Sequence, residues 1–396
     1  MRKVLGVAAA LVIAVGAIGS AGPPPAAGTI VDARSARLTI WHNYVAGSAE
    51  EWAFQTVLAA VRPRFPNVRF TVVRQAFGDL YARFEADPAH GPDLFISSND
   101  RLGTEVRAGL LRDVTAAVES RVATLTTRAR EGARIAGRFY MIPESTKVLA
   151  LYYRPGRVAA VPATTDALLE AVRGGLRLGF VADSYFVAGF FPAFGGRIID
   201  STYRCVADRT PGVADALAYL RRLELDGATA YTIGHYGQME GDFEAGRLDA
   251  IIDGNWIGAE LRAAVGPDLG LALLPSGPAG ASRPMVSLDG WFVNARRPNA
   301  AFATKVALAL SDRAAQRTWA TNAVHVPADA LVTSTDPLGA DFAKAVAAGR
   351  TRPTGSAIDA YWQPFRTAVE KVVLGGANAP KAVRTACSAM NAANGR

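Results

Sequence analysis

LTIWHN at Leu38–Asn43 and GPDLFISSNDRLGTEVRAGLLRDVT at Gly91–Thr115 decide how this chain is read. Leu38 to Trp41 is an apolar strand, and Leu94, Phe95 and Ile96 form another. Between them, Ser48 with Glu51 three residues later is a capping box that opens a helix. Phe54, Val57, Leu58 and Val61 give that helix one apolar face. Phe65, Pro66 and Asn67 end it, and Val68, Phe70 and Val72 alternate with Arg69 and Thr71 as a strand. Leu80 and Phe84 fit a short second helix. The order is a βαβαβ unit, which predicts an α/β lobe with parallel strands. Ligands of open α/β sheets bind at the carboxyl ends of the strands, where this chain places Ser97, Asn99, Asp100 and Arg101.

Working outward, Met1-Arg2-Lys3, an uncharged apolar run from Val4 to Ile18 and the small residues Gly19-Ser20-Ala21 have the layout of a secretory signal peptide over 1–21. An uncleaved membrane anchor is the competing reading. No cysteine lies near the cleavage site, which argues against a lipid anchor. Residues 22–37 read as a flexible mature N-terminus. With 50% hydrophobic and 20% charged residues the remainder has the composition of a soluble globular protein. The formal charge is +8, or +6 without Arg2 and Lys3, and its arginines are scattered rather than clustered, which argues against nucleic acid as partner.

Cys205 and Cys387 are the only cysteines. In an exported chain they close one disulfide or remain two separately buried thiols. The four histidines are dispersed and neither cysteine has a paired ligand spacing, so no metal site and no cofactor is expected.

A second set of α/β signals follows: strands at Val148–Tyr153, Leu176–Val181, Ala250–Asp253 and Leu271–Leu274, and a helix at Val213–Leu225. Trp291, Phe292 and Val293 are placed to return to the first lobe, and helices dominate from Ala300 onward.

In order along the chain, LTIWHN, GPDLFISSNDRLG with AGLL, YMIPESTKVLALYYR, DSYFVAGFFPAFGG, FEAGRLDAIIDGNW, LALLPSG and AYWQPFRTAVEKV resemble the carbohydrate-binding family of extracellular solute-binding proteins that serve ATP-binding-cassette importers, the family that includes maltose-binding protein. The resemblance covers Leu38 to about Met390. It implies a type II periplasmic-binding-protein-like fold with a sugar cleft between two lobes joined by several hinge crossings. One lobe is expected over 38–145 plus 277–328 and the other over 148–272 plus 332–396. It also implies a monomer outside the cytoplasm, an oligosaccharide ligand and the membrane permease of an importer as partners.

Sugar recognition needs flat aromatic faces and planar polar groups. The resemblance assigns Asp100 and Arg101 to a sugar-contacting pair, Asp183, Tyr185 and Phe186 to the wall of the second lobe, Trp256 to a stacking position, and Trp362 to an aromatic pair with Tyr361. The chain departs from maltose-binding protein at Ser97, which replaces a cleft tryptophan, at Lys147, which replaces a hinge-proximal glutamate, and around Tyr44, where an acidic-basic pair is missing. These departures point to an altered terminal subsite, with Lys147 serving an acidic sugar group or pairing with Glu144 or Asp100. The alternatives are an exported glycoside hydrolase using two carboxylates, or the same fold holding a non-sugar solute. G-x-S-x-G, H-E-x-x-H, P-loop and G-x-G-x-x-G patterns do not occur.

Overall fold

A computed structural model describes residues 31–396. The expected leader and the first part of the expected N-terminal spacer lie outside the described residues. The rest of that spacer is tied down: Asp32 N–H donates to Arg64 O at 2.9 Å, Lys305 pairs with Asp32 at 3.0 Å, and a strand begins at Ala36.

Two sheets form the frame. The first runs in the order Val326–Pro327, Ile142–Lys147, Met285–Val293, Leu94–Ser98, Ala36–His42, Val68–Arg74, with Arg350–Thr351 paired to the start of Met285–Val293. Ala36–His42 is parallel to both Val68–Arg74 and Leu94–Ser98, as the βαβαβ reading requires. The helix Ala49–Val61 starts where Ser48 Oγ accepts Glu51 N–H, and the Glu51 carboxylate accepts Gly47 N–H at 2.8 Å. Its buried face is Ala53, Phe54, Val57, Leu58 and Val61.

The second sheet has the order Gly270–Ala272, Leu149–Tyr153, Ala250–Gly254, Leu178–Val181, Thr229–Tyr231. The strand expected at Leu271–Leu274 stops at Ala272, because the chain must turn before Pro275 to leave the sheet. Helix Gly212–Leu225 buries Val213, Leu217, Leu220 and Leu223, and packs against Asp359–Val373 and Ala379–Ala393. Cys205 and Cys387 form a disulfide with 5.4 Å between Cα atoms, joining the loop before Gly212 to the last helix.

The chain passes between the two halves three times before helix Pro337–Ala348, after which Arg350–Thr351 returns to the edge of the first sheet. Ile142–Lys147 runs through Val148 directly into Leu149–Tyr153, Gly270–Ala272 leads back to Met285–Val293, and Val326–Pro327 leads out to helix Pro337–Ala348. Two apolar cores result, one with Phe54, Phe95, Trp291 and Trp319, the other with Tyr152, Phe180, Phe243 and Tyr361. Among the described residues no helix is long and apolar enough to cross a membrane.

Candidate functional site

The carboxyl end of Leu94–Ser98 meets the C-terminal helices at the junction of the two sheets. Asn99 is a tie: its Nδ2 donates to Gly132 O at 2.8 Å and its Oδ1 accepts Leu288 N–H at 3.1 Å. Asp100 and Arg101 turn to different partners. The Asp100 carboxylate receives the Arg352 guanidinium, which also donates to Asn99 Oδ1. Arg101 pairs with Glu85 at 2.6 Å and lies 3.8 Å from Asp359, the first residue of the C-terminal helix Asp359–Val373. Arg352 is only 3% exposed, and its guanidinium lies 5.8 Å from the ring centroid of Trp362, a cation–π distance. Its Nε is buried with no hydrogen-bond partner among the described residues.

The facing wall is aromatic. Asp183 caps the short helix Ser184–Val187 by accepting Tyr185 N–H at 2.8 Å, and its other oxygen accepts Arg366 Nε–H at 2.6 Å. That leaves Asp183 buried beneath the surface it helps to shape. The Tyr185 hydroxyl lies 3.4 Å from both Met285 O and Ser287 Oγ, and burial pushes its pKa up to about 12. Tyr185, Phe186 and Trp256 have ring centroids 5.8 to 6.3 Å apart, and Tyr236 closes the group 5.5 Å from Phe186. Trp256 Nε1–H donates to Tyr236 OH at 2.6 Å, and Tyr236 OH donates to the buried Asp253 at 3.0 Å. Burial holds Asp253 well above the usual carboxylate range. Trp256 folds back over Gly254, where an added Cβ would sit 2.1 Å from the indole ring. Trp362 adjoins this wall, since Ser184 Oγ donates to its carbonyl at 3.1 Å, and its ring lies edge-on to Tyr361 at 5.0 Å.

Beneath the junction lies a buried charge cluster. Lys147 pairs with neither Glu144 nor Asp100. Its ammonium donates to Glu50, lies 3.4 Å from Asp289 and is 2.7 Å from His325 Nε2. The reason is its place at the end of Ile142–Lys147, beside Ser287 in the neighbouring strand and over the first turn of helix Ala49–Val61. His325 bridges Glu144 through Nδ1 at 2.9 Å and Glu50 through Nε2 at 2.8 Å. Burial raises the Glu50 carboxyl, but Lys147 and His325 overcome this and bring it down to about 2. Burial and Lys147 lower the His325 imidazole, while Glu144 and Glu50 more than offset them and leave its pKa raised.

One of the histidines dispersed in sequence, His325, meets two carboxylates in space. Ligand atoms of Glu50, Asp289 and His325 lie within 4.8 Å of one another. The cation they share is the Lys147 ammonium.

Tyr44 and Ser97 lie behind the junction. Tyr44 is 3% exposed, packs 5.1 Å from Trp319, and is raised well above the usual tyrosine pKa by burial and then by Asp289, Glu50 and Glu144. Ser97 is buried in its strand, opposite Gly290. The structure thus brings Asp100, Tyr185, Phe186, Trp256 and Trp362 to the junction, and holds Asp183, Lys147, Ser97 and Tyr44 beneath it. Sequence reasoning missed Arg352, Tyr236, Glu50, Asp289 and His325. Glu50 was visible only as a first-turn acid of a capped helix, and Arg352 belongs to no local pattern.

Comparison with known proteins agrees with this architecture. A maltotriose-binding protein of Pyrococcus abyssi (strain GE5 / Orsay) is 23% identical over 249 residues, 61% of this chain and 54% of that protein, so the match spans about half of that relative's length. A galactooligosaccharide-binding protein of Bacillus subtilis (strain 168) is 22% identical over 394 residues, 92% of this chain and 91% of that protein. Among solved structures, the GacH receptor of Streptomyces glaucescens GLA.O superposes with a TM-score of 0.83 at 20% identity, covering 91% of this chain and 98% of that one. The maltose/maltodextrin-binding domain of Bdellovibrio bacteriovorus bound to maltotriose gives 0.81 at 19% identity, covering 91% and 100%. At these identities the structural likeness shows the fold. A family model for bacterial extracellular solute-binding proteins matches residues 58–348, which take in strands of both sheets, and the chain belongs to that family.

Proposed function

We propose that this protein is an exported, non-enzymatic binding protein that captures an oligosaccharide of the maltose or maltodextrin type between two hinged lobes and delivers it to the permease of an ATP-binding-cassette importer. The observation that carries the reading is the aromatic wall of Tyr185, Phe186, Tyr236 and Trp256 set near Asp100, Arg352 and Trp362 where the two sheets meet. Aromatic faces take the apolar side of a pyranose, and charged planar groups take its hydroxyls. The named sugar ligands of the relatives support the same class.

The proposed lobes are 38–145 plus 277–328 and 148–272 plus 332–396, hinged where the chain passes between the sheets. Ligand contacts are assigned to Asp100, Arg101, Tyr185, Phe186, Trp256 and Trp362. Asp183, Lys147, Ser97 and Tyr44 position these from behind. A sugar touching both lobes favours closure by its differential affinity for the closed form.

Two observations favour binding over hydrolysis or a non-sugar solute. The carboxylates of Asp100 and Asp183 are each engaged by an arginine rather than free to work as an acid-base pair. The adjacent tyrosines Tyr152 and Tyr153 are the residues that would suit a metal–anion complex, and Tyr152 instead donates to Gly254 O inside a core.

Titration calorimetry of the mature protein with maltotriose tests the reading. Wild type is expected to bind, and Trp256→Ala and Trp362→Ala each to weaken binding by about tenfold or more, roughly 1.4 kcal/mol per factor of ten. The same titration against uronate-containing sugars decides whether the terminal subsite prefers an acidic group. Absence of binding to every neutral oligosaccharide, or release of shorter sugars on prolonged incubation, would overturn the proposal.

A further inference from the structure

Away from the sheet junction, a groove of about 380 Å³ is lined by Arg197, Arg209 and Arg350 together with Pro192, Gly195 and Gly196. Arg283 and Arg128 stand close enough to Arg350 that, after partial burial, they and Arg197 push its pKa down by like-charge repulsion. Of these five arginines only Arg128 enters an ion pair, with Glu131 at 3.7 Å. Among the described residues the other four have no carboxylate partner. Asp200, the acid that feels Arg209, is engaged by its own loop, accepting from Thr202 N–H and Oγ1–H and from Arg204 N–H.

Elsewhere some neighbouring arginines share one carboxylate. Arg157 and Arg177 share Asp249, and Arg173 and Arg222 share Asp226. Around this groove Arg197, Arg209 and Arg350 converge with no carboxylate among the described residues in an ion pair with any of them, and Arg283 stands beside Arg350.

We propose that this groove is a second binding site, for a phosphate-bearing ligand. Guanidinium groups bind phosphate through paired, charge-assisted hydrogen bonds, and a dianion between several of them removes their mutual repulsion. The volume lies at the small end of ligand pockets and suits a phosphate or pyrophosphate group.

The frame that carries the arginines is held in advance. Arg350 N–H donates to Pro284 O at 2.9 Å, and its strand pairs with Met285 and Val286. Arg128 clamps Gly349 O at 2.6 Å. The loop bearing Arg209 is tied by Val206 N–H to Ile198 O at 2.9 Å and by the disulfide at Cys205. Gly195 turns the chain beside the groove at a φ of 78°, a backbone conformation that favours glycine.

The site requires neither the sugar nor the junction residues. Its source is a soluble phosphate compound or the phosphate of a lipid headgroup, and the experiment separates them. The disulfide-intact mature protein is titrated with sodium pyrophosphate at constant ionic strength while its melting temperature is followed, and is floated with vesicles of phosphatidylglycerol or of phosphatidylcholine. A saturable rise in melting temperature is expected, with affinity weakened at least about tenfold in Arg197→Gln/Arg350→Gln and unchanged in Arg69→Gln, an exposed arginine of the first sheet. Pyrophosphate binding without flotation identifies a soluble ligand. Flotation with phosphatidylglycerol alone, competed away by pyrophosphate, identifies a headgroup. No saturable shift, or one that the double variant retains at wild-type affinity, overturns the site. Maltotriose calorimetry on the double variant reports separately on the sugar cleft and on folding.

Discussion

At the scale of single residues, the buried cluster under the junction makes its own pH signature. The His325 pKa is raised above its ordinary 6.5, so its ion pairs with Glu144 and Glu50 stabilise the fold fully below about 6.5 and are lost as pH rises through the folded value. Glu50 is lowered from 4.5 to about 2, so its contribution is present above about 4.5 and is lost as pH falls toward 2. His42 titrates the opposite way, since burial pushes it down to about 4 and protonation below 6.5 then favours unfolding. The difference between wild type and His325→Gln isolates the first effect. Thermal melts from pH 5 to 9 are expected to show wild type losing its advantage on the alkaline side, by about 1.4 kcal/mol for each unit of raised pKa. A constant difference across that range would contradict the ion-pair assignment. Gly254 carries a second expectation. Its φ of −95° suits any residue, and the atoms nearest to an added Cβ are those of the Trp256 indole. Gly254→Ala is expected to cost about 1–3 kcal/mol of stability and to shift tryptophan emission as the ring is displaced.

At the scale of elements, local signals were good guides where neighbours within one turn or one strand decide the structure. Ser48 and Glu51 start their helix as their spacing indicates, and Val68, Phe70 and Val72 alternate as a strand. Cys205 and Cys387 are different: 182 residues separate them, and nothing local told a disulfide from two buried thiols. The bond ties the loop before Gly212–Leu225 to Ala379–Ala393, whose Asn391 also accepts Cys205 N–H at 2.9 Å. Replacing both cysteines by serine is expected to cost about 2–5 kcal/mol in urea denaturation, because it frees a long loop in the unfolded chain. Maltotriose affinity in the folded variant is expected to change little, since neither cysteine reaches the aromatic wall.

At the scale of the whole molecule, contacts across the junction join the two halves directly. Arg352 holds Asp100 and Asn99, Asp359 accepts Thr104 Oγ1–H, and Glu260 accepts Ala49 N–H at 2.8 Å. These bonds favour a closed arrangement. Arg352→Ala leaves Asp100 without its partner and removes the cation beside Trp362. Small-angle scattering without sugar is expected to show a larger radius of gyration for the variant than for wild type, with the two converging on addition of maltotriose. An unchanged radius would show that Arg352 does not hold the halves together.

Local pattern along the chain was enough for the α/β class and for the course of most strands and helices. Those features depend on periodicity, caps and turn residues only a few positions apart. Tertiary structure alone decided the partners of the polar groups. Glu50 lies 97 residues from Lys147 and 275 from His325, and Asp100 lies 252 from Arg352. Over such separations a side chain carries charge and reach but no information about what it will meet. Its partner is set by which strand ends the two sheets bring to the junction, where burial then makes pairing obligatory.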